Sequence, residues 1–188
     1  MTVAHAAIAE AARYTNDLVL LLFASSASLP KEGDAGAPLL SESDRMDAVR
    51  AWCATHPGAL PALCPLGLLV EQARAARSRF PDAQLHLYCG SDKLLQLLDP
   101  KWYEDRDAAL DELFGLATVT YAVRTGDRSA VAAALADPAN RRWRARCRKL
   151  PIDPALASVS SRAVRARIRS GQEWRSLVPV EVASALDA

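Results

Sequence analysis

The stretch Ser158-Val159-Ser160-Ser161-Arg162-Ala163-Val164-Arg165 sets hydroxyls and guanidinium groups around the start of a helical pattern that runs to about Ser170. Ser160 is placed to cap that helix, because its hydroxyl can accept from a backbone N–H two or three residues on. Val164 and Ile168, four apart, give it one apolar stripe to bury. Arg162 and Arg165 lie in or near the first turn, where the helix dipole is positive and cations are disfavoured. An anion bound there reverses that cost, since free N–H groups, Ser160, Ser161 and two guanidinium forks can converge on a phosphate. Read alone, the stretch is more simply a capped surface helix with solvated arginines. Other chemistry-bearing residues along the chain shift the weight towards anion binding.

Those other candidates are His5 at the start of the first helix, Gly90-Ser91-Asp92 at a strand end, Trp102 in a loop, and the loop cations Lys31 and Arg124. Each has a plainer reading. His5 can be a helix-start residue, Asp92 a helix cap, and Trp102 beside Tyr103 a plug onto the core. His56, at a helix end, and His86, inside a strand, read as structural; Trp52, Trp143 and Trp174 read as packing.

A chain of 188 residues, half of them apolar, can bury a substantial core as a single domain. The formal net charge of +1 gives no reason to expect a nucleic-acid or membrane surface. Cys53, Cys64, Cys89 and Cys147 are widely spaced, with no CxxC and no nearby His pair. They read as reduced buried thiols of a cytosolic protein, and no metal site is expected among them. No apolar run has the length of a membrane span, and the start lacks the basic region of a signal peptide. The chain opens abruptly, inside a helical pattern.

In order, Ala4 to Tyr14 is Ala-rich and helical, with Thr2 placed to cap it. Leu18 to Phe23 is a continuous apolar run that suits a parallel strand covered on both faces. Residues 24–40 read as a long loop. A helix follows from Ser41 to about Thr55, a weaker strand at Ala59–Leu66, and a helix at Leu68–Phe80. Leu85–Cys89 is a strand closing on Gly90-Ser91-Asp92; then come a short helix, the loop Asp99–Tyr103, and a helix at Asp107–Phe114. Ala117–Val123 is a strand, Ser129–Ala136 a helix, Arg146–Ile152 a last short strand, and Leu177-Val178-Pro179 leads into a C-terminal helix. Strands alternating with helices of roughly 10–15 residues predict an α/β protein with a Rossmann-like parallel sheet and helices on both faces. Ligands of such sheets bind at the carboxyl ends of the strands. That edge would gather the loops after Phe23, Cys89 and Val123 and the helix starts at Thr2 and Ser160.

With these elements placed, the chain resembles the nucleotidyltransferase family that includes the nicotinamide and nicotinate mononucleotide adenylyltransferases. Val159 to Arg165 is similar to the ISSTxIR motif of that branch, with Arg162 in the place of Thr. Leu177-Val178-Pro179 falls where a similar tripeptide precedes the family's last helix. Gly90-Ser91-Asp92 resembles its GxD, and Thr2-Val3-Ala4-His5 resembles the second half of its HxGH signature in a TxxH form. Arg45-Met46 and Trp102 also fit, and the matches run in order from Thr2 to Pro179.

The resemblance implies attack of a mononucleotide phosphate on the α-phosphorus of ATP, with release of pyrophosphate and no covalent enzyme intermediate. His5 and Arg165 would be the catalytic residues. Thr2, Ser160, Ser161 and Arg165 would hold the ATP phosphates, Gly90 would let the backbone approach the nucleotide, Asp92 would bind a polar group on it, and Trp102 would stack on the pyridine ring. Lys31 and Arg124, cationic loop residues at the same edge, would meet the mononucleotide phosphate. Magnesium would bridge the phosphates with few protein ligands. Whether the acceptor is the amide or the acid stays open, as do phosphopantetheine or a phosphorylated alcohol with CTP. One departure is large: the family's first strand, central in the order 3-2-1-4-5, and its Gly/Phe/Pro turn do not precede Thr2. A truncated gene product, a non-catalytic relative and a strand supplied by a partner are the three readings of that gap. The intact Thr2–His5 half favours the first, with roughly 10–25 further residues upstream forming a strand and a turn.

Overall fold

The computed structural model describes residues 1–24 and 40–187. In chain order the elements are α1 (Val3–Thr15), β1 (Val19–Ala24), α2 (Glu42–Ala54), β2 (Ala59–Cys64), α3 (Leu69–Arg79), β3 (Leu85–Gly90), α4 (Ser91–Leu98), α5 (Arg106–Leu116), β4 (Ala117–Ala122), α6 (Arg128–Ala136), α7 (Arg141–Arg144), β5 (Cys147–Leu150), α8 (Pro154–Ala157), α9 (Ser161–Arg169) and α10 (Val180–Asp187). The strand–helix alternation read from the sequence is therefore present, with ends moved by a residue or two. The last strand is trimmed at both ends, from Arg146–Ile152 to Cys147–Leu150. Pro151 has no N–H to continue a ladder. The loop read at residues 24–40, and Lys31 within it, fall almost wholly outside the described residues.

All strand pairs are parallel, in two small sheets flanked by helices: β1 with β2, and β3–β4–β5 in that order. The chain divides into two compact units, Met1–Pro65 with Val159–Ala188, and Leu66–Ser158. Each sheet belongs to one unit.

In the first unit, Thr2 caps α1 and His5 closes a capping box with it, while Asn16 Nδ2 donates to the Ala12 carbonyl at the other end, 2.7 Å. Gly58, with φ of 83°, turns the chain from α2 into β2 in the left-handed conformation that glycine adopts without Cβ strain. The core joins Trp52 of α2, Val164 of α9 and Val178 and Val182 around α10, with Ile168 packed against it. The Val164–Ile168 stripe is thus what seats α9. Trp52 stacks on His56, with ring centroids 3.8 Å apart, and His56 Nε2 lies 2.9 Å from Glu10. Both residues are structural, as read. Burial of the β1 run is incomplete: Leu22 keeps 44% of its surface exposed, against the expectation of a strand covered on both faces.

In the second unit the core runs through Leu94 and Leu97 of α4, Leu110 and Leu113 of α5, and Val119 of β4, each at most 1% exposed. Trp143 is buried and donates from Nε1 to Asp111, 2.9 Å, so it too is a packing residue. The cysteines are free thiols. Burial pushes the Cys89 thiol up to about 12 and the Cys147 thiol up to about 11, with Asp92 adding to the effect at Cys89. At pH 8 the thiolate fraction of Cys89 is then about 10⁻⁴, and thiolate is the reactive form. Iodoacetamide at pH 8 is expected to leave Cys89 unmodified in the native protein, read by peptide mass mapping; rapid native labelling of Cys89 would contradict this burial. Among the described residues no helix is long and apolar enough to cross a membrane.

Candidate functional site

The first unit gathers positive charge at the carboxyl end of β1. Phe23 lies at that end, and the Arg45 guanidinium of α2 sits over its ring, 4.3 Å from the centroid. Burial lowers the Arg45 pKa first, and the charge of Arg165, at the start of α9, lowers it further; Glu42 opposes them. Arg45 in turn lowers the pKa of the Met1 amino group, whose larger cause is burial. These fields place the start of α1, Arg45 and the first turn of α9 in one neighbourhood. An anion bound in this neighbourhood would be attracted by both guanidinium charges.

The two helix starts are built as their sequences require. Ser160 Oγ accepts from the Ala163 N–H, 3.1 Å, which satisfies one of the donors an α-helix leaves unpaired at its start. Its hydroxyl hydrogen remains to donate. Ser161 is half-buried, and its hydroxyl makes no hydrogen bond to a described residue. At α1 the Thr2 N–H donates to His5 Nδ1, 3.2 Å, and Thr2 Oγ1 lies 2.8 Å from the same nitrogen. A backbone N–H can only donate, so Nδ1 accepts and the neutral imidazole carries its hydrogen on Nε2. The capping box thereby fixes the tautomer, with the ring hydrogen on Nε2. Thr2 itself is 2% exposed, so its hydroxyl serves the box.

The second unit arranges the carboxyl ends of β3 and β4, where Gly90 and Ala122 are register partners. Gly90 caps α4 through its backbone, and a Cβ there would fall 2.8 Å from Asp92 Oδ1. The glycine is thus what lets the Asp92 carboxylate fold back over the strand end. Arg124 Nη2 is 3.6 Å from Asp92 Oδ1. An exposed pair of this kind is worth only about 0–1 kcal/mol, so either partner can be given up to a ligand.

Ser91 and Asp127 join these two and were not singled out from the sequence. Ser91 is fully buried; its hydroxyl donates to Asp127 Oδ2, 2.6 Å, and accepts from the Arg124 N–H, 3.2 Å. The signal was a serine directly inside the Gly90–Asp92 match and an aspartate in the turn after the next strand. Ser91→Ala strands the Arg124 N–H and is expected to cost about 1–3 kcal/mol of unfolding free energy, measured by urea titration. A loss below about 0.5 kcal/mol would show that water replaces the hydroxyl.

Trp102 occupies a short 3-10 turn, Pro100–Trp102, between α4 and α5, half-buried, with Lys101 Nζ 5.2 Å from its ring centroid. No hydrogen bond or ring contact joins Trp102 to Asp92 or Arg124 among the described residues. The structure therefore brings together Thr2 with His5, Arg45 with Arg165, and Gly90 with Asp92 and Arg124. No group of three or more His, Cys, Asp or Glu side chains that could hold a metal ion occurs among the described residues. No family model and no curated protein matches this chain.

Proposed function

We propose that the chain is a nucleotide-binding protein of the nucleotidyltransferase type that transfers the adenylyl group of ATP to nicotinamide or nicotinate mononucleotide. The observation that carries this reading is the Arg45–Arg165 neighbourhood beside the capped starts of α1 and α9. Helix N-termini and guanidinium forks are the groups that recognise polyphosphate. The wholly parallel pairings β1–β2 and β3–β4–β5 are of the kind that a Rossmann-like fold contains.

In the reaction an oxygen of the mononucleotide phosphate bonds to the α-phosphorus of ATP as the bond to the bridging oxygen breaks, and pyrophosphate leaves with that electron pair. Such chemistry depends on positioning and charge neutralisation. Arg165, Ser161 and the Ser160 hydroxyl hydrogen hold the β- and γ-phosphates. His5 donates from Nε2 as charge builds on the departing pyrophosphate. Gly90 and Asp92 are assigned to the nucleotide and Trp102 to the pyridine ring by the resemblance alone, and Arg124 to the mononucleotide phosphate as a cationic loop residue. Magnesium bound to the phosphates would neutralise part of their charge.

Incubation with ATP, magnesium and either mononucleotide tests the reading by dinucleotide and pyrophosphate release. Trp102→Ala is expected to raise the KM for the mononucleotide far more than that for ATP. Equal effects on both substrates would return Trp102 to packing. A second reading, nucleotide binding without transfer, is favoured by β1 and β3 each having one hydrogen-bonded neighbour among the described residues. ATP binding with no dinucleotide would select it.

A further inference from the structure

Two hollows of the second unit, formed by described residues, differ in the kind of charge that lines them. One, about 290 Å³, is lined by Asp111, Trp143, Arg142 and Arg146 among others. Its polar groups already satisfy one another: Asp111 takes both Arg142, at 3.0 Å, and the Trp143 N–H, and Arg146 donates to the Phe114 carbonyl. The other, about 440 Å³, lies between α6 and the β4–β5 pair. Tyr121 and Lys149 are register partners and leave the same sheet face, opposite Val131 and Leu135, four apart on α6. Arg128, Arg144 and Lys149 line this cavity, no carboxylate does, and none of the three makes a hydrogen bond or ion pair to a described residue.

Tyr121 adds an independent observation. It is 6% exposed, yet its hydroxyl has no hydrogen-bond partner among the described residues. No sealed polar side-chain atom there lacks a partner, so the hydroxyl opens onto the cavity. Burial, and then Cys147, raise the Tyr121 pKa while Arg144 lowers it, which puts the Arg144 charge within reach of that hydroxyl. Ligand sites of ordinary size span about 300–1,000 Å³, apolar with a few convergent polar groups.

We propose that this cavity is a binding site for a small phosphomonoester with an apolar, ring-sized body. The body lies on Tyr121, Val131 and Leu135, and the dianionic head meets Arg128, Arg144 and Lys149. The site shares no residue with the Arg45–Arg165 neighbourhood, so its test is independent of the reading above.

The probe is 1-naphthyl phosphate, titrated calorimetrically into the whole chain at low ionic strength. 1-Naphthol supplies the body without charge, and inorganic phosphate the charge without the body. The expected result is saturable binding of 1-naphthyl phosphate, at least about tenfold tighter than either control. The double variant Arg144→Glu, Lys149→Glu should weaken it at least about tenfold with an unchanged melting temperature. Should that variant melt early, Arg128→Glu carries the same test from the other side of the cavity. No binding of the probe at millimolar concentration, equal binding of inorganic phosphate, or undiminished binding by a stably folded charge-reversal variant would overturn the proposal.

Discussion

Trp52→Ala is expected to lower the unfolding free energy by about 3–5 kcal/mol, the range for removing a fully packed aromatic side chain. Trp52 is 1% exposed, stacks on His56, and shares its core with Val164, Val178 and Val182. The substitution therefore leaves a cavity and loosens the seat of α9 together. Against a total of about 5–15 kcal/mol for an ordinary domain, this is a large fraction. Urea unfolding followed by circular dichroism reads it directly. A loss under about 1 kcal/mol would mean that the surrounding helices close over the gap, and that α9 is held by something other than this core.

Arg165→Ala is expected to weaken ATP binding by about 1.5–3 kcal/mol, the worth of a hydrogen bond to a charged group. That is a factor of about ten to more than a hundred in affinity. The neighbouring Arg45 keeps the site cationic in the variant, so binding is reduced and not abolished. Arg165→Lys should recover part of the loss, since a point charge replaces some of what a planar fork supplies. Thermal melting separates this effect from packing: Arg165 is only half-buried, whereas Val164 beside it carries the burial. Unchanged ATP affinity in a folded Arg165→Ala protein would remove the arginine from the phosphate site.

What could be read in advance is what local chemistry determines. Thr2 and Ser160 are legible as helix starts because a cap needs only a hydroxyl and three following residues. Ala117–Val123 is legible as a strand because β-branched and aromatic residues suit a pleated, half-buried surface. Leu85–Cys89 and Gly90 likewise mark a strand end by composition. Contacts made across the fold carry no such mark. Ser91 and Asp127 lie 36 positions apart and meet only because β3 and β4 pair in register. Arg45 was noted beside Met46 within the resemblance, but its closeness to Arg165 follows from the packing of α2 and α9 around one core. Asp92 and Arg124, assigned to separate ligand groups from the sequence, form an ion pair with each other.

The central claim is that the first unit recognises phosphate, and it is tested most directly by titrating the chain with ATP, AMP and adenosine under identical magnesium and salt. The account predicts affinity in the order ATP, then AMP, then adenosine, with the ATP value falling as salt rises, because the arginines act on charge. Adenosine binding as tightly as ATP, or ATP binding that is indifferent to salt, would contradict it.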